Sequence, residues 1–367
     1  MQLALFMMPV HDCNRDYHTT LMEDVEAVIH ADKLGYSEVW VGEHYASASE
    51  QITSPLLFLS HLLPRTEQIV CATGVICLPQ YHPALTAGQI AMFDHLAKGR
   101  FIMGLGPGGL PPDFELFDIM DKDRNAMMVE AIDMMIEIWA NDPPYRIKGE
   151  HWNVTTGDWV YDDIGLGRMC KPYQKPHPPI AISAMSPSSG SIKFAGSRGY
   201  IPLSANFIGT WSVKTHWEVY AEAASKAGHP TDPEIWRVAR NIHVDETDAA
   251  AEEFVKALGQ STDWYFDYLY KIFERADMKT PFVINQNDDP AELTARDLRD
   301  NYTIHGSPDT VVEKIMELRE QVGHFGTLAA TAQDWTDKPR MKRSMELLAK
   351  EVMPKVNSII GSRDAAD

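Results

Sequence analysis

The chain is expected to be an α/β protein, a single (β/α)8 TIM barrel carrying two long insertions. Three observations lead there. Strand-like and helical segments alternate along the chain until eight strands are counted, the pattern of a parallel barrel. Several of those strands are continuous apolar runs, as strands covered on both faces are. Many end abruptly in charged, glycine-rich or hydroxyl-rich sequence, and α/β barrels keep their chemistry at such strand ends. At 367 residues the whole chain, 1–367, reads as one barrel domain, a length this fold reaches when it carries insertions.

The elements follow in order. Residues 2–7 form the first strand, and a helix over 19–34 stops at Gly35. Residues 38–41 are the second strand, followed by a helix over 55–64. The third strand covers 69–78. The helix over 84–98 places Leu85, Ile90, Met92, Phe93 and Leu96 at spacings suited to packing on a sheet. Residues 100–105 are the fourth strand, and 124–139 a Met-rich helix whose methionines read as core filling. Between 140 and 178 the pattern breaks into Pro, Gly, Tyr and Trp, a first insertion. Strands over 179–183 and 200–204 follow, separated by a helix over 188–199. A helix over 211–228 leads to the seventh strand, 235–244. Residues 246–302, helical and irregular, make a second excursion, with an insertion of about 261–303. A helix over 307–322 has Ser307 as N-cap and Pro308 at its first position. The eighth strand, 326–331, and a helix over 341–356 close the barrel. Both excursions are too long to be idle, and lids or dimer surfaces are their expected uses. The Pro and Trp content of the first points to a lid.

Bulk properties narrow the function. A formal net charge of -19 argues against nucleic acid and against anionic membranes, which both need clustered Lys and Arg. No apolar run reaches the roughly 18 residues of a membrane span. No basic segment precedes the first strand, so no signal peptide is expected and the location is expected to be cytoplasmic. Cys13, Cys71, Cys77 and Cys170 lack metal-ligand spacing, and Cys71 and Cys77 read as buried free thiols. No metal is expected.

Candidate chemistry lies where strands end. Glu38-Val39-Trp40-Val41-Gly42-Glu43-His44 stops at a carboxylate and an imidazole. The third strand runs through Thr73-Gly74-Val75, and a Gly within a β-branched run marks a bulge or the close approach of a ligand. Gly104-Leu105-Gly106-Pro107-Gly108-Gly109-Leu110-Pro111-Pro112 exposes backbone N–H groups to a flat ring or a phosphate, yet fits neither P-loop nor Rossmann spacing. Ser186, Ser188, Ser189 and Ser191 precede a helix. One of them caps it, and the rest are placed to hold a phosphate through neutral donors and the helix dipole. Tyr45, Tyr81, Trp152, Trp159, Phe207 and Trp211 offer aromatic walls for a dry pocket.

Together these residues resemble the bacterial luciferase-like flavin monooxygenases. The strand end Val-Trp-Val-Gly-Glu-His, the Thr-Gly-Val strand with its Leu-Pro-x-x-His-Pro exit, and Phe93-Asp94-His95-Leu96-Ala97-Lys98-Gly99-Arg100 carry the resemblance. The stretch from Gly104 to Pro112, His216 to Tyr220 and Gly306 to Ile315 are most similar to the limonene and diketocamphane monooxygenase group. The resemblance implies a barrel that takes reduced FMN from a separate NAD(P)H-dependent reductase. There O2 forms a peroxyflavin that oxygenates a small apolar substrate such as a cyclic ketone or terpene, and a homodimer is implied. The catalytic histidine maps onto His44, with Glu43 beside it to orient the imidazole or a nearby backbone group. Flavin contacts map onto Phe6, Glu43, Thr73, Gly74, Val75, Gly106, Pro107, Gly108, Ser186, Ser188 and Ser189. The substrate pocket is expected to draw on Tyr45, Tyr81, Phe207 and Trp211. A cis peptide is expected at Gly74–Val75. Luciferase itself holds the phosphate with an arginine where this chain has Pro107 and Gly108, which favours the serine cluster. Two rivals share the barrel: a deazaflavin-dependent dehydrogenase and a non-catalytic flavin-binding protein.

Overall fold

A computed structural model describes residues 1–364. Eight parallel strands form the barrel: β1 (Gln2–Met7), β2 (Glu38–Val41), β3 (Val70–Thr73), β4 (Phe101–Gly106), β5 (Ile180–Ala184), β6 (Ile201–Ser204), β7 (Arg237–Val244) and β8 (Thr327–Thr331). Each pairs with the next, and β1 pairs with β8, which closes the ring. Helices surround it: α1 (Tyr17–Lys33), α2 (Pro55–Leu62), α3 (Pro83–Ala97), α4 (Arg124–Ala140), α5 (Gly190–Arg198), α6 (Thr210–Ala227), α7 (Pro308–Val322) and α8 (Lys338–Leu347).

The side-chain period of two divides each strand between two cores. Leu3, Leu5 and Met7 of β1 pack against the helices, whereas Ala4 and Phe6 point into the barrel with Trp40, Ala72, Ile102, Ala181, Leu203, Ala239 and Ala329. Alanines from five strands leave room for one indole, so Trp40 fills the lumen. Its ring N–H donates to Glu38 at 2.8 Å, and Glu38 pairs with Arg237 at 2.6 Å. Gly104 is required beside it, because a Cβ there would run into the Thr73 carbonyl.

One expectation is corrected. The third strand is not continuous over 69–78: it stops at Thr73, and only Ile76–Cys77 rejoins β4. The second excursion holds the helices Asp248–Val255, Ser261–Arg275 and Ala295–Tyr302. It ends in a strand, Thr303–Gly306, that pairs parallel with β7 outside the ring. The first insertion contains a short antiparallel hairpin, Arg146–Lys148 with Asn153–Thr155. Among the described residues no helix is long and apolar enough to cross a membrane, and the four cysteines are free, Cys71 and Cys77 buried.

Candidate active site

The C-terminal ends of the barrel strands surround a cavity of about 610 Å³, within the roughly 300–1,000 Å³ usual for cofactor and ligand sites. Phe6, Glu43, His44, Gly74, Val75, Pro107, Gly108, Ser186, Ser189 and Phe207, all named from sequence, line it. Met278, Pro281 and Phe282 cover it from the second insertion. The lid expected of the first insertion is not seen, since none of the lining residues falls within 140–178. Trp152 of that insertion packs against the cluster of Phe114, Ile119 and Met127, and Trp159 is exposed.

The other expected residues stand apart from the wall. Thr73 is buried and donates its hydroxyl to the Gly104 carbonyl at 2.7 Å, tying β3 to β4. Gly106 sits behind Val75: a Cβ there would lie 2.6 Å from a Val75 methyl. The Ser188 N–H bonds Thr215 Oγ1 at 2.8 Å, and Ser188 has φ +48. Trp211 does not reach this cavity. Its indole donates to the Val283 carbonyl at 3.2 Å and lines a separate polar cavity with Asn285, Asn301 and Tyr302. Tyr45 and Tyr81 are half-buried outside the lining, hydroxyl to hydroxyl. The peptide between Gly74 and Val75 is cis.

His44 is held in a way the sequence did not indicate. Its imidazole does not rest on Glu43. Nδ1 lies 3.1 Å from Asp113 Oδ2, and Nε2 lies 3.2 Å from Glu50 Oε2. Asp113 stands in the short helix Pro111–Leu116 and also accepts the N–H groups of Tyr45 at 3.0 Å and Ala46 at 2.7 Å. Glu50 accepts the Tyr268 hydroxyl at 2.8 Å, which links it to the second insertion. Burial alone would lower His44, but Glu50 and Asp113 hold it above the ordinary imidazole range. Burial works to raise Asp113, yet its bonds to His44 and to the Ala46 and Tyr45 N–H groups keep it below the usual carboxylate range. The pairing with Asp113 and Glu50 therefore favours the charged form of His44.

Glu43 is used differently. One oxygen accepts the Cys77 N–H at 2.8 Å and the other the Tyr81 hydroxyl at 2.9 Å. Burial pushes its carboxyl up to about 7 against those two donors, so near neutrality Glu43 can hold or release a proton.

The residues present fit a flavin mononucleotide. The wall is mostly apolar, and among the described residues no lysine or arginine lines it. Gly108 at φ +85 lets backbone turn close to the cavity. The cap expected from this serine cluster is not formed: Ser189 precedes α5 without a side-chain bond to it, so the first N–H groups of that helix remain open. A Cβ at Gly190 would meet nothing within 4 Å. Ser186, Ser189, Gly190 and Ser191 line the cavity beside this N-terminus, where a phosphate would meet neutral donors and the helix dipole.

Comparison with known proteins agrees with this geometry. The chain is 31% identical to 4-hydroxyprotoasukamycin monooxygenase of Streptomyces nodosus subsp. asukaensis, covering 97% of this chain and 92% of that protein. It is 29% identical to limonene 1,2-monooxygenase of Rhodococcus erythropolis, covering 99% of this chain and 88% of that one. The oxygenating constituent of 3,6-diketocamphane monooxygenase from Pseudomonas putida, a type II Baeyer-Villiger monooxygenase solved with FMN, superposes with a TM-score of 0.87 at 31% identity. That match covers 97% of this chain and 98% of the other. The family model for luciferase-like monooxygenase matches residues 1–324, and the chain belongs to that family.

Proposed function

We propose that this chain is an FMN-dependent monooxygenase, supplied with reduced FMN by a separate NAD(P)H-dependent reductase, that uses O2 to oxygenate a small apolar substrate such as a cyclic ketone or terpene. The observation that carries the reading is one cavity with two kinds of lining: serines with an open helix N-terminus, and the apolar Phe6, Phe207, Met278 and Phe282. Phe6, Gly74, Val75, Pro107 and Gly108 would hold the ring system, and Ser186, Ser189, Gly190 and Ser191 the phosphate. When bound, reduced FMN supplies the electrons that activate O2.

The chain's own residues do the rest. The His44 imidazolium, fixed by Asp113 and Glu50, places positive charge where negative charge develops on reduced oxygen or on a substrate carbonyl. Glu43 holds a proton on the cavity wall. The apolar side chains exclude water, which suppresses wasteful release of H2O2. The FMN-bound oxygenating relative at 31% identity favours oxygen transfer over hydride transfer.

Stopped-flow mixing of the protein and reduced FMN with oxygenated buffer, followed by product analysis on a panel of cyclic ketones and terpenes, tests the reading. Flavin oxidation altered by the protein, with one oxygen atom added to a panel member, is the expected result. Oxidation identical to that of free FMN, with hydride exchange on a reduced deazaflavin instead, would move the assignment to the dehydrogenase.

A further inference from the structure

The hydrogen bonds of Glu43 do not stop at its first partners. Its Oε2 accepts the Tyr81 hydroxyl at 2.9 Å, and the Tyr81 oxygen is in turn hydrogen-bonded to the Tyr45 hydroxyl. Glu43 lines the cavity, whereas Tyr81 and Tyr45 lie outside its lining and are both partly exposed. The three groups form a continuous hydrogen-bonded line from a buried carboxyl on the cavity wall towards the outside of the barrel mouth. We propose that Glu43, Tyr81 and Tyr45 are a proton relay, with Glu43 the group that protonates reduced oxygen in the cavity and the two tyrosines its resupply from solvent.

The proposal rests on the oxygenating function put forward above, and it answers a need which that function creates. Reduction of O2 to H2O2 takes up two electrons and two protons. Transfer of one oxygen atom to a substrate takes up the same number and leaves water. Reduced FMN supplies both electrons and, as its anion, one of the two protons, which leaves one proton to be brought into a cavity where flavin and an apolar substrate admit little water. In the relay, Glu43 gives its proton to the reduced oxygen. The Tyr81 hydroxyl proton passes to the Glu43 carboxylate, the Tyr45 proton to the Tyr81 oxygen, and water restores Tyr45. No atom other than hydrogen moves.

His44 is less suited to this resupply, since its Nδ1 and Nε2 both face carboxylates, Asp113 and Glu50. The groups facing Glu43 are the Cys77 N–H and thiol and the Tyr81 hydroxyl from the exit of the third strand, the neighbouring His44, and Asp113 from the short helix. Burial pushes the Cys77 thiol well above its ordinary range, so it stays protonated. Burial, with the Glu43 charge, also raises both tyrosines, so they pass protons as neutral hydroxyls.

The first arm of the test needs no turnover. Infrared difference spectra of the ligand-free protein across the neutral range should contain a carboxylic acid band that Glu43→Gln removes. Tyr81→Phe should move its midpoint upward, because a donor to the carboxylate is lost. Tyr45→Phe should leave the midpoint in place, because the Tyr81–Glu43 bond survives. In the second arm, protein loaded with reduced FMN is mixed with oxygenated buffer containing a pH indicator. Tyr45→Phe should slow proton uptake at least about tenfold, enlarge the solvent isotope effect, and recover as imidazole is added; Glu43→Gln should slow it without rescue. Wild-type uptake and isotope effect in Tyr45→Phe, with the infrared band normal, would overturn the relay and leave the oxygenating function standing. A Glu43 that shows no titration near neutrality would remove its inner end. Failure of the wild-type protein to alter flavin oxidation at all would overturn the function and the relay together.

Discussion

Replacing Asp113 by Asn isolates the charge that holds His44 from the loop it anchors. Asp113 accepts three N–H groups, those of Tyr45 at 3.0 Å, Ala46 at 2.7 Å and the imidazole Nδ1 at 3.1 Å. An Asn oxygen can keep both backbone bonds, so the loop after β2 should stay in place. The amide NH2 would then face Nδ1, which favours the neutral tautomer with its proton on Nε2, opposite Glu50. A hydrogen bond between charged partners contributes about 1.5–3 kcal/mol, so its loss shifts the imidazolium–imidazole balance of His44 roughly ten- to hundredfold towards the neutral form. Because His44 is raised in the folded state, its pairing stabilises the fold below the ordinary imidazole range and that contribution fades as pH rises through the folded value. The variant should therefore lose more stability in mildly acidic than in alkaline urea titrations, and should react more slowly with O2 near neutrality when loaded with reduced FMN. Long-range nitrogen–proton NMR of the imidazole reads the protonation directly. An unchanged His44 titration, or an equal stability loss at both pH values, would refute the carboxylate clamp.

Other consequences can be measured independently. Gly106→Ala would press a methyl group to 2.6 Å from Val75; overpacking of about 1–3 kcal/mol should lower the denaturation midpoint and weaken FMN binding in a fluorescence titration. His11 is buried between Asp24 and Asp334, which overcome the lowering effect of burial and raise it to about 9. The stability it adds is complete below about pH 6.5 and lost as pH climbs to about 9, on the order of 3 kcal/mol, and His11→Asn should flatten that part of the urea pH profile. Of the residues of α3 expected to pack on the sheet only Ile90 and Phe93 do so; Leu85, Met92 and Leu96 point outward and, like Leu57 of α2, are more than half exposed, apolar surface suited to a second copy of the chain. Light scattering should report a dimer that Leu57→Asp with Met92→Asp dissociates.

Much of the barrel was legible because its determinants are local. A strand covered on both faces must be apolar along its length, and Val39-Trp40-Val41 can be little else. Helix stops such as Gly35 and the Pro308 start act within a few residues. Where the reading failed, the deciding contact was distant. Residues 303–306 lie at the end of an irregular stretch and become a strand only because β7 extends past the ring and offers an edge. The third strand reads as continuous because Val75 and Ile76 are β-branched; at its break stands Gly74, where Trp40 and Phe6 from two other strands leave little room for a Cβ.

The same distinction separates the site residues found from those missed. Glu43 and His44 announce themselves as polar groups at the end of a buried strand, but a strand end does not say what each side chain will meet. Asp113 stands 69 residues from His44, and nothing in Leu110-Pro111-Pro112-Asp113 distinguishes it from an ordinary acid in the first turn of a helix. Glu50 lies closer, yet reaches His44 only because the loop folds back so that the His44 N–H bonds the Ile52 carbonyl at 3.0 Å. Tyr45 and Tyr81 read from sequence as aromatic wall, and their hydroxyls acquire a role only through Glu43. The consequence is chemical: the sequence locates the cavity and two polar groups on its wall, whereas the protonation balance of each is set by burial and by partners the sequence does not point to, Asp113 from the exit of β4 and Glu50 from the folded-back loop after β2. Two adjacent residues are thereby treated differently: Asp113 and Glu50 favour the charged form of His44, whereas burial raises the Glu43 carboxyl to about 7. In the proposed function that division would let one strand end both stabilise negative charge and deliver a proton.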